Sequence, residues 1–182
     1  MEFIGDDGIS WCNEARRQWK LREFEFDAGM LEYFTDMLPK GFKVLDMGCN
    51  IANWYAPFQD LGADYVGVDA SPVAIELARE RYPGVTFILK NLKEIDFVEE
   101  FDLAFSHTVL QHMHVETKDV VFPKVFRALK PGGLFVFQEK CDVLTPTTFT
   151  IPGWICYAEN FRFEFVKYHD PAHGFVFRRP VK

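Results

Sequence analysis

Asp46 and Asp69 each close a short apolar run, the first in VLDMGCNIAN at 44–53 and the second in YVGVD at 65–69. A carboxylate at the carboxyl end of a parallel strand stands where open sheets bind ligands. After Asp46 the chain reads Gly48-Cys49-Asn50 and then runs toward Trp54 and Tyr55. A glycine, a tight loop and a helix in that order suit close approach of the backbone to a ligand. Asp69 follows at about the 20-residue interval at which a second carboxylate accepts two hydrogen bonds from a ribose diol. Together these residues describe a site for a nucleoside-containing cofactor. The nicotinamide fingerprint GxGxxG is not met, because its register reads Gly48-Cys49-Asn50-Ile51-Ala52-Asn53, and a Walker lysine is also missing.

Metal and thiol chemistry have weaker support. Cys12, Cys49, Cys141 and Cys156 match neither a zinc pattern nor a CxxC pair, so free thiols are expected. His112 with His114, or His169 with His173, could suggest ligands, but no acidic cluster accompanies either pair and no metal is expected.

These residues need elements to hold them. Met30, Leu31, Phe34, Met37 and Leu38 recur at helical spacing after Asp27, and Pro39-Lys40-Gly41 stops the helix. Apolar bursts at 43–46, 65–69, 85–89, 101–106 and 134–139 predict strands. Between them, helices are expected across 53–61, from Ser71-Pro72 to about Tyr82, and within 115–129. Pro123 inside the last of these predicts a kink or restart, and Pro131-Gly132-Gly133 a turn into the fifth strand. In FRFEFVKY, Phe161, Phe163 and Phe165 alternate with Arg162, Glu164 and Val166, and after a turn FVFRR follows as another strand. The pair predicts an antiparallel hairpin at one edge of the sheet. The fold class is therefore α/β: a Rossmann-like three-layer sandwich with a mostly parallel, seven-stranded sheet. Residues 1–40 read as an N-terminal arm and helical cap of the same single domain, with 13–26 a candidate lid, and 41–182 as the ligand-binding body.

Composition narrows the class further. The chain has 182 residues, 48% of them hydrophobic, and a net charge of −7. Residues 1–100 hold 19 acidic and 10 basic side chains, whereas 101–182 hold 8 and 10. A field of that sign repels phosphate backbones and argues against nucleic acid as a partner. No apolar run approaches the ~20 residues of a membrane span. MEFIGDDGIS lacks the basic start and apolar core of a secretory signal, so a soluble, cytoplasmic protein with no membrane partner is expected. No motif sets an oligomeric state.

The string at 44–53 resembles the acidic-x-Gly-x-Gly-x-Gly loop of class I S-adenosylmethionine-dependent methyltransferases. Asp46 and Gly48 match, while Asn50 and Ala52 stand where that family usually has glycine. Three more stretches are similar to the family in the same order: VGVDAS from Val66, FDLAFSHTVLQHM at 101–113 and FRALKPGGLFVFQE at 126–139. The resemblance covers roughly 42–140, and the terminal hairpin fits the family's reversed last strand.

The resemblance implies S-adenosylmethionine as cofactor and S-adenosylhomocysteine as product. By position it puts Asp46, Gly48, Cys49 and Asn50 toward the methionine moiety, Asp69 on the ribose and Ala70 near the adenine. Asn91 either binds the adenine amino group or serves a turn, and Leu92 packs on the ring. Ser106 and His107 end the fourth strand and face the methyl group. His107 is either a base or a residue that shapes the pocket. Trp54 and Tyr55, and Trp154 and Tyr157, either line a substrate pocket through their aromatic faces or pack ordinarily. The implied activity is methyl transfer to a small-molecule acceptor, since the Asn/Asp-Pro-Pro-Tyr of base-directed enzymes is replaced by Ser106-His107-Thr108-Val109. The alternatives are an RNA or protein methyltransferase and a non-catalytic module that binds the cofactor.

Overall fold

The computed structural model describes residues 28–141, 147–170 and 173–182. The arm or lid expected at 13–26 and the capping role of Asp27 lie outside the described residues. The elements in chain order are α1 (Ala28–Thr35), β1 (Lys43–Met47), α2 (Tyr55–Asp60), β2 (Asp64–Asp69), α3 (Pro72–Arg81) and β3 (Thr86–Leu89). They continue with β4 (Phe101–His107), α4 (Val115–Ala128), β5 (Leu129–Gln138), α5 (Ile151–Asn160), β6 (Glu164–His169) and β7 (Gly174–Arg178). Short 3-10 turns lie at Leu92–Glu94 and Leu110–His112.

The seven strands form one sheet in the order β3-β2-β1-β4-β5-β7-β6. The first five run parallel, and β7 is antiparallel to both β5 and β6. Alternate residues along each strand serve opposite faces, so the apolar runs needed to cover both. Val44, Phe105 and Val136 pack with Phe34 of α1, Phe58 of α2 and Ile75 of α3. Leu45, Phe135 and Phe137 pack on the other side with Phe122 of α4 and Trp154 of α5. This is the three-layer sandwich expected.

Local signals account for most boundaries. The Ser71 hydroxyl accepts from the Ala74 amide at 3.2 Å and Pro72 opens α3, as the sequence proposes. Three expectations need correction. First, there is no restart at Pro123: α4 continues through it, with Val121, Phe122 and Val125 buried on either side. Burial of that face outweighs the hydrogen bond that proline removes. Second, Pro131-Gly132-Gly133 is not a turn ahead of β5 but lies within it. The register with β4 jumps from Phe101↔Leu129 to Leu103↔Leu134, and Gly132 takes φ +82. The strand bulges there and then resumes pairing. Third, Phe161 belongs to the end of α5 and β6 starts only at Glu164. The helix itself escapes the period-two reading, although Thr150, whose hydroxyl accepts from Gly153 N at 3.2 Å, and Pro152 mark its start.

Candidate cofactor site

The carboxyl ends of β1, β2 and β4 converge on one loop. Gly48 N and Cys49 N both donate to the Val68 carbonyl, at 2.7 and 3.0 Å, which folds the chain sharply over β2. Gly48, Asn50 and Ala52 then take φ values of +73, +55 and +60. The left-handed backbone thus recurs at the three alternate positions where glycine would adopt it freely, held here by asparagine and alanine at a cost of up to about 1–2 kcal/mol per residue. Gly48 has a second reason to lack a side chain, because a Cβ there would lie 2.6 Å from Cγ2 of Val109. Cys49 is buried, and its sulfur would lie 2.8 Å from a Cβ on Gly67, so strand β2 needs its glycine to admit it.

Asp69 braces this loop. Its Oδ2 accepts from Asn50 N at 3.0 Å and its Oδ1 from Ser71 N at 2.8 Å. One buried carboxylate therefore ties the loop after β1 to the loop after β2, with half-buried Ala70 between Asp69 and Ser71 in the chain. Carboxylate oxygens accept more than one hydrogen bond each, so this geometry is compatible with a diol ligand. Beside it, Asn50 Oδ1 is a buried atom with no hydrogen-bond partner among the described residues, and Ser106 Oγ at the end of β4 is another. Left-handed loop, carboxylate and orphaned acceptor fit a ligand that brings both hydroxyls and amino groups.

Asp46 lies deeper. It accepts a hydrogen bond from the Tyr65 hydroxyl, and burial pushes its carboxyl up to about 7, opposed by that bond and reinforced by the charge of Asp69. Burial and the neighbouring Asp46 likewise hold the Tyr65 phenol well above its usual range.

His107 meets the edge of Trp54 at a ring separation of 5.2 Å, and Trp54 in turn packs on Phe105 at 4.9 Å. Burial lowers the imidazole to about 4. The side chain at the end of β4 is therefore a neutral, weakly basic histidine rather than one poised near neutrality. Desolvation by burial is the reason.

The four aromatics named from the sequence do not share a pocket. Trp54 joins His107, but Tyr55 packs against Tyr65 and Tyr82, with ring separations of 5.3 and 4.5 Å. Trp154 is fully buried on the opposite face between Phe137 and Phe149. Tyr157 packs on Phe122 and donates to Asp119 Oδ1 at 2.5 Å. Of the two readings of Asn91, the turn is the one observed: its Oδ1 accepts from Lys93 N at 2.9 Å and caps a 3-10 turn. Leu92 is buried against the α4 side of the core. Sequence reasoning passed over Val109, Tyr65 and Glu139. Glu139 closes the apolar run LFVFQE just as Asp46 and Asp69 close theirs, so the same rule would have found it. No group of three or more His, Cys, Asp or Glu suited to a metal occurs among the described residues.

Comparison with known proteins identifies the arrangement. A family model described as "Methyltransferase domain" matches residues 44–133, the segment from β1 to the bulge of β5. An uncharacterized methyltransferase of Synechocystis is 35% identical over 100 residues, which are 54% of this chain and 47% of that protein. A ubiquinone biosynthesis O-methyltransferase of Bradyrhizobium is 31% identical over 119 residues, 63% of this chain and 44% of that one. The chain thus spans about half the length of the curated relatives it matches. Among solved structures, a TehB-like S-adenosylmethionine-dependent methyltransferase from Corynebacterium glutamicum superposes with a TM-score of 0.74 at 19% identity, covering 95% of this chain and 99% of that one. The sheet order, the loop braced by Asp69 and these matches agree: residues 44–133 match the methyltransferase-domain family, and the chain has the fold of S-adenosylmethionine-dependent methyltransferases.

Proposed function

We propose that this chain transfers a methyl group from S-adenosylmethionine to a small-molecule acceptor in the cytoplasm. The observation that carries the reading is the recurrent left-handed backbone at Gly48, Asn50 and Ala52 under the Asp69 carboxylate. In this reading Asp69 receives the ribose hydroxyls, Ala70 and Leu92 flank the adenine, and Gly48, Cys49 and Asn50 border the methionine portion. Asn91 contributes from the turn it caps. S-adenosylmethionine supplies an electrophilic sulfonium methyl group when bound. The protein's own contribution is alignment, which holds an acceptor in line at the end of β4 beside Ser106 and His107. A histidine near 4 is neutral throughout the physiological range, so His107 serves as an uncharged hydrogen-bonding or shaping group against Trp54.

A small molecule is favoured because the net charge of −7 opposes a polyanionic acceptor, and because the Bradyrhizobium relative is by name an O-methyltransferase of ubiquinone biosynthesis. No helix among the described residues is long and apolar enough to cross a membrane. The non-catalytic module is less favoured, because Asn50 and Ala52 keep the backbone geometry that glycine would give. The test is a labelled-methyl transfer assay against fractionated metabolites, preceded by native mass spectrometry for co-purified cofactor. Label entering a low-mass fraction is the expected result. Label found only in RNA or protein fractions would replace the small-molecule reading, and cofactor binding with no transfer to any fraction would support the binding module.

A further inference from the structure

The segment after β4 is held by a group that the cofactor reading does not use. Glu139, at the end of β5 and 1% exposed, turns its carboxylate onto three consecutive backbone amides. Its Oε1 accepts from Val109 N at 3.1 Å and Leu110 N at 2.8 Å, and its Oε2 from Gln111 N at 2.9 Å. The contact is returned, because the Gln111 carboxamide oxygen accepts from Lys140 N at 2.8 Å. Thr108, with φ +56, donates its own amide to the Gln138 carbonyl at 2.8 Å. Strand β5 therefore clasps the whole turn that follows His107. The far end of this turn is fixed too, since the buried Lys118 ammonium donates to the Met113 and Thr147 carbonyls, each at 2.6 Å. The first residue that Glu139 clasps is Val109, whose side chain occupies the space above Gly48.

We propose that Glu139 is a positioning residue of the cofactor site: by gathering the amides of Val109, Leu110 and Gln111 it sets Val109 against Gly48 and so fixes the loop that receives the cofactor. The proposal rests on the cofactor site lying at the Gly48–Asn50 loop and Asp69. A carboxylate suits the task because three N–H donors converge on it. Protonation would replace one acceptor with a donor facing those amides. Burial raises the Glu139 carboxyl to about 7, with the three amide bonds and Lys118 opposing. Those amide bonds hold the carboxyl below where burial alone would put it, so relative to a turn released from a still-buried Glu139 the clasp favours the carboxylate and loosens as the pH falls through about 7. The charged and titratable groups around it are Lys118 from α4, His112 in the turn, Lys140 and Cys141 after β5, and His173 before β7, whose carbonyl accepts from Glu139 N at 3.3 Å. Lys118 gains charge as the pH falls and so favours the carboxylate, which shallows the slope without reversing it.

The experiment is calorimetric titration with S-adenosylhomocysteine between pH 6 and 8 on the full chain. Wild type should bind roughly tenfold more tightly at pH 8 than at pH 6. Glu139→Gln should bind roughly tenfold more weakly at pH 8 and lose the slope, whereas Val109→Ala should weaken binding and keep the slope. Glu139→Gln binding with wild-type affinity and slope would overturn the proposal, as would a slope abolished by Asp46→Asn instead. If Glu139→Gln does not fold, hydrogen exchange on wild type decides: protection of the 109–111 amides, corrected for intrinsic rates, should fall below pH 7 and rise on adding S-adenosylhomocysteine. Protection independent of both would count against Glu139. Asp69→Ala separates the two levels of inference, since unchanged affinity in that variant would remove the site reading itself.

Discussion

Asp69 holds Asn50 N on one oxygen and Ser71 N on the other, so removing the carboxylate takes a charged acceptor from the ligand and a brace from two loops. Asp69→Ala should weaken S-adenosylmethionine binding by roughly 2–4 kcal/mol, read by calorimetry, with unchanged affinity placing the cofactor elsewhere. His107 calls for a different measurement because its imidazole sits near 4 in the folded protein. In the unfolded chain the same group titrates near 6.5, so between those values the unfolded state takes up a proton that the folded state refuses. Stability contributed by the neutral ring is therefore intact above about 6.5 and drains away as the pH falls toward 4. Relative to His107→Ala, the wild type should lose about 2 kcal/mol between pH 7 and pH 5 in urea unfolding. A pH-independent difference would mean that the ring is hydrated. For turnover, the low basicity predicts a modest loss in His107→Ala with cofactor affinity nearly intact. A loss of roughly 100-fold or more, with a rate that falls as the pH drops toward 4, would restore the histidine as a base.

The loop after β1 and the turn after β4 meet where Gly48 lies beneath Val109. A methyl group on Gly48 would combine a left-handed φ of +73 with a 2.6 Å approach to Val109. Gly48→Ala should therefore destabilise the fold by about 2–4 kcal/mol, and Val109→Ala in the same chain should recover part of that loss. Additive urea midpoints for the two changes would show that the elements do not press on one another. The loop and Asp69 were legible in the sequence because both follow from strands that announce themselves as apolar runs with an acid at the end. Ser71-Pro72 was legible because capping is a local interaction. What local pattern does not carry is how faces are shared out. For Trp154 and Tyr157, between the fifth strand and the hairpin, the sequence leaves open a substrate pocket or ordinary packing, and the Thr150 cap places them on a helix whose buried side lies against Phe122 and Phe137. The basicity of His107 is likewise set by its burial in the assembled fold, where Trp54 from fifty-odd residues earlier packs on the ring, and the bulge at Pro131-Gly132-Gly133 by the register of β4.

At the scale of the molecule, the net charge of −7 predicts that neither RNA nor duplex DNA binds near physiological salt. Filter binding or anisotropy across a salt series should show no steep dependence, and micromolar affinity with a strong slope would revive an RNA acceptor. The order β3-β2-β1-β4-β5-β7-β6 also bears on how the chain is made. Strand β6 is synthesised before β7 but pairs only with it, and β7 must enter between β5 and β6. While translation has delivered the chain only through His169, β6 has no partner and the edge of β5 stands open, with Phe135 and Phe137 facing a core that still lacks Phe175 and Phe177. Closure of the sheet is thus deferred to the last strand to emerge, and until then the nascent protein presents an unpaired apolar edge of the kind that invites misassembly.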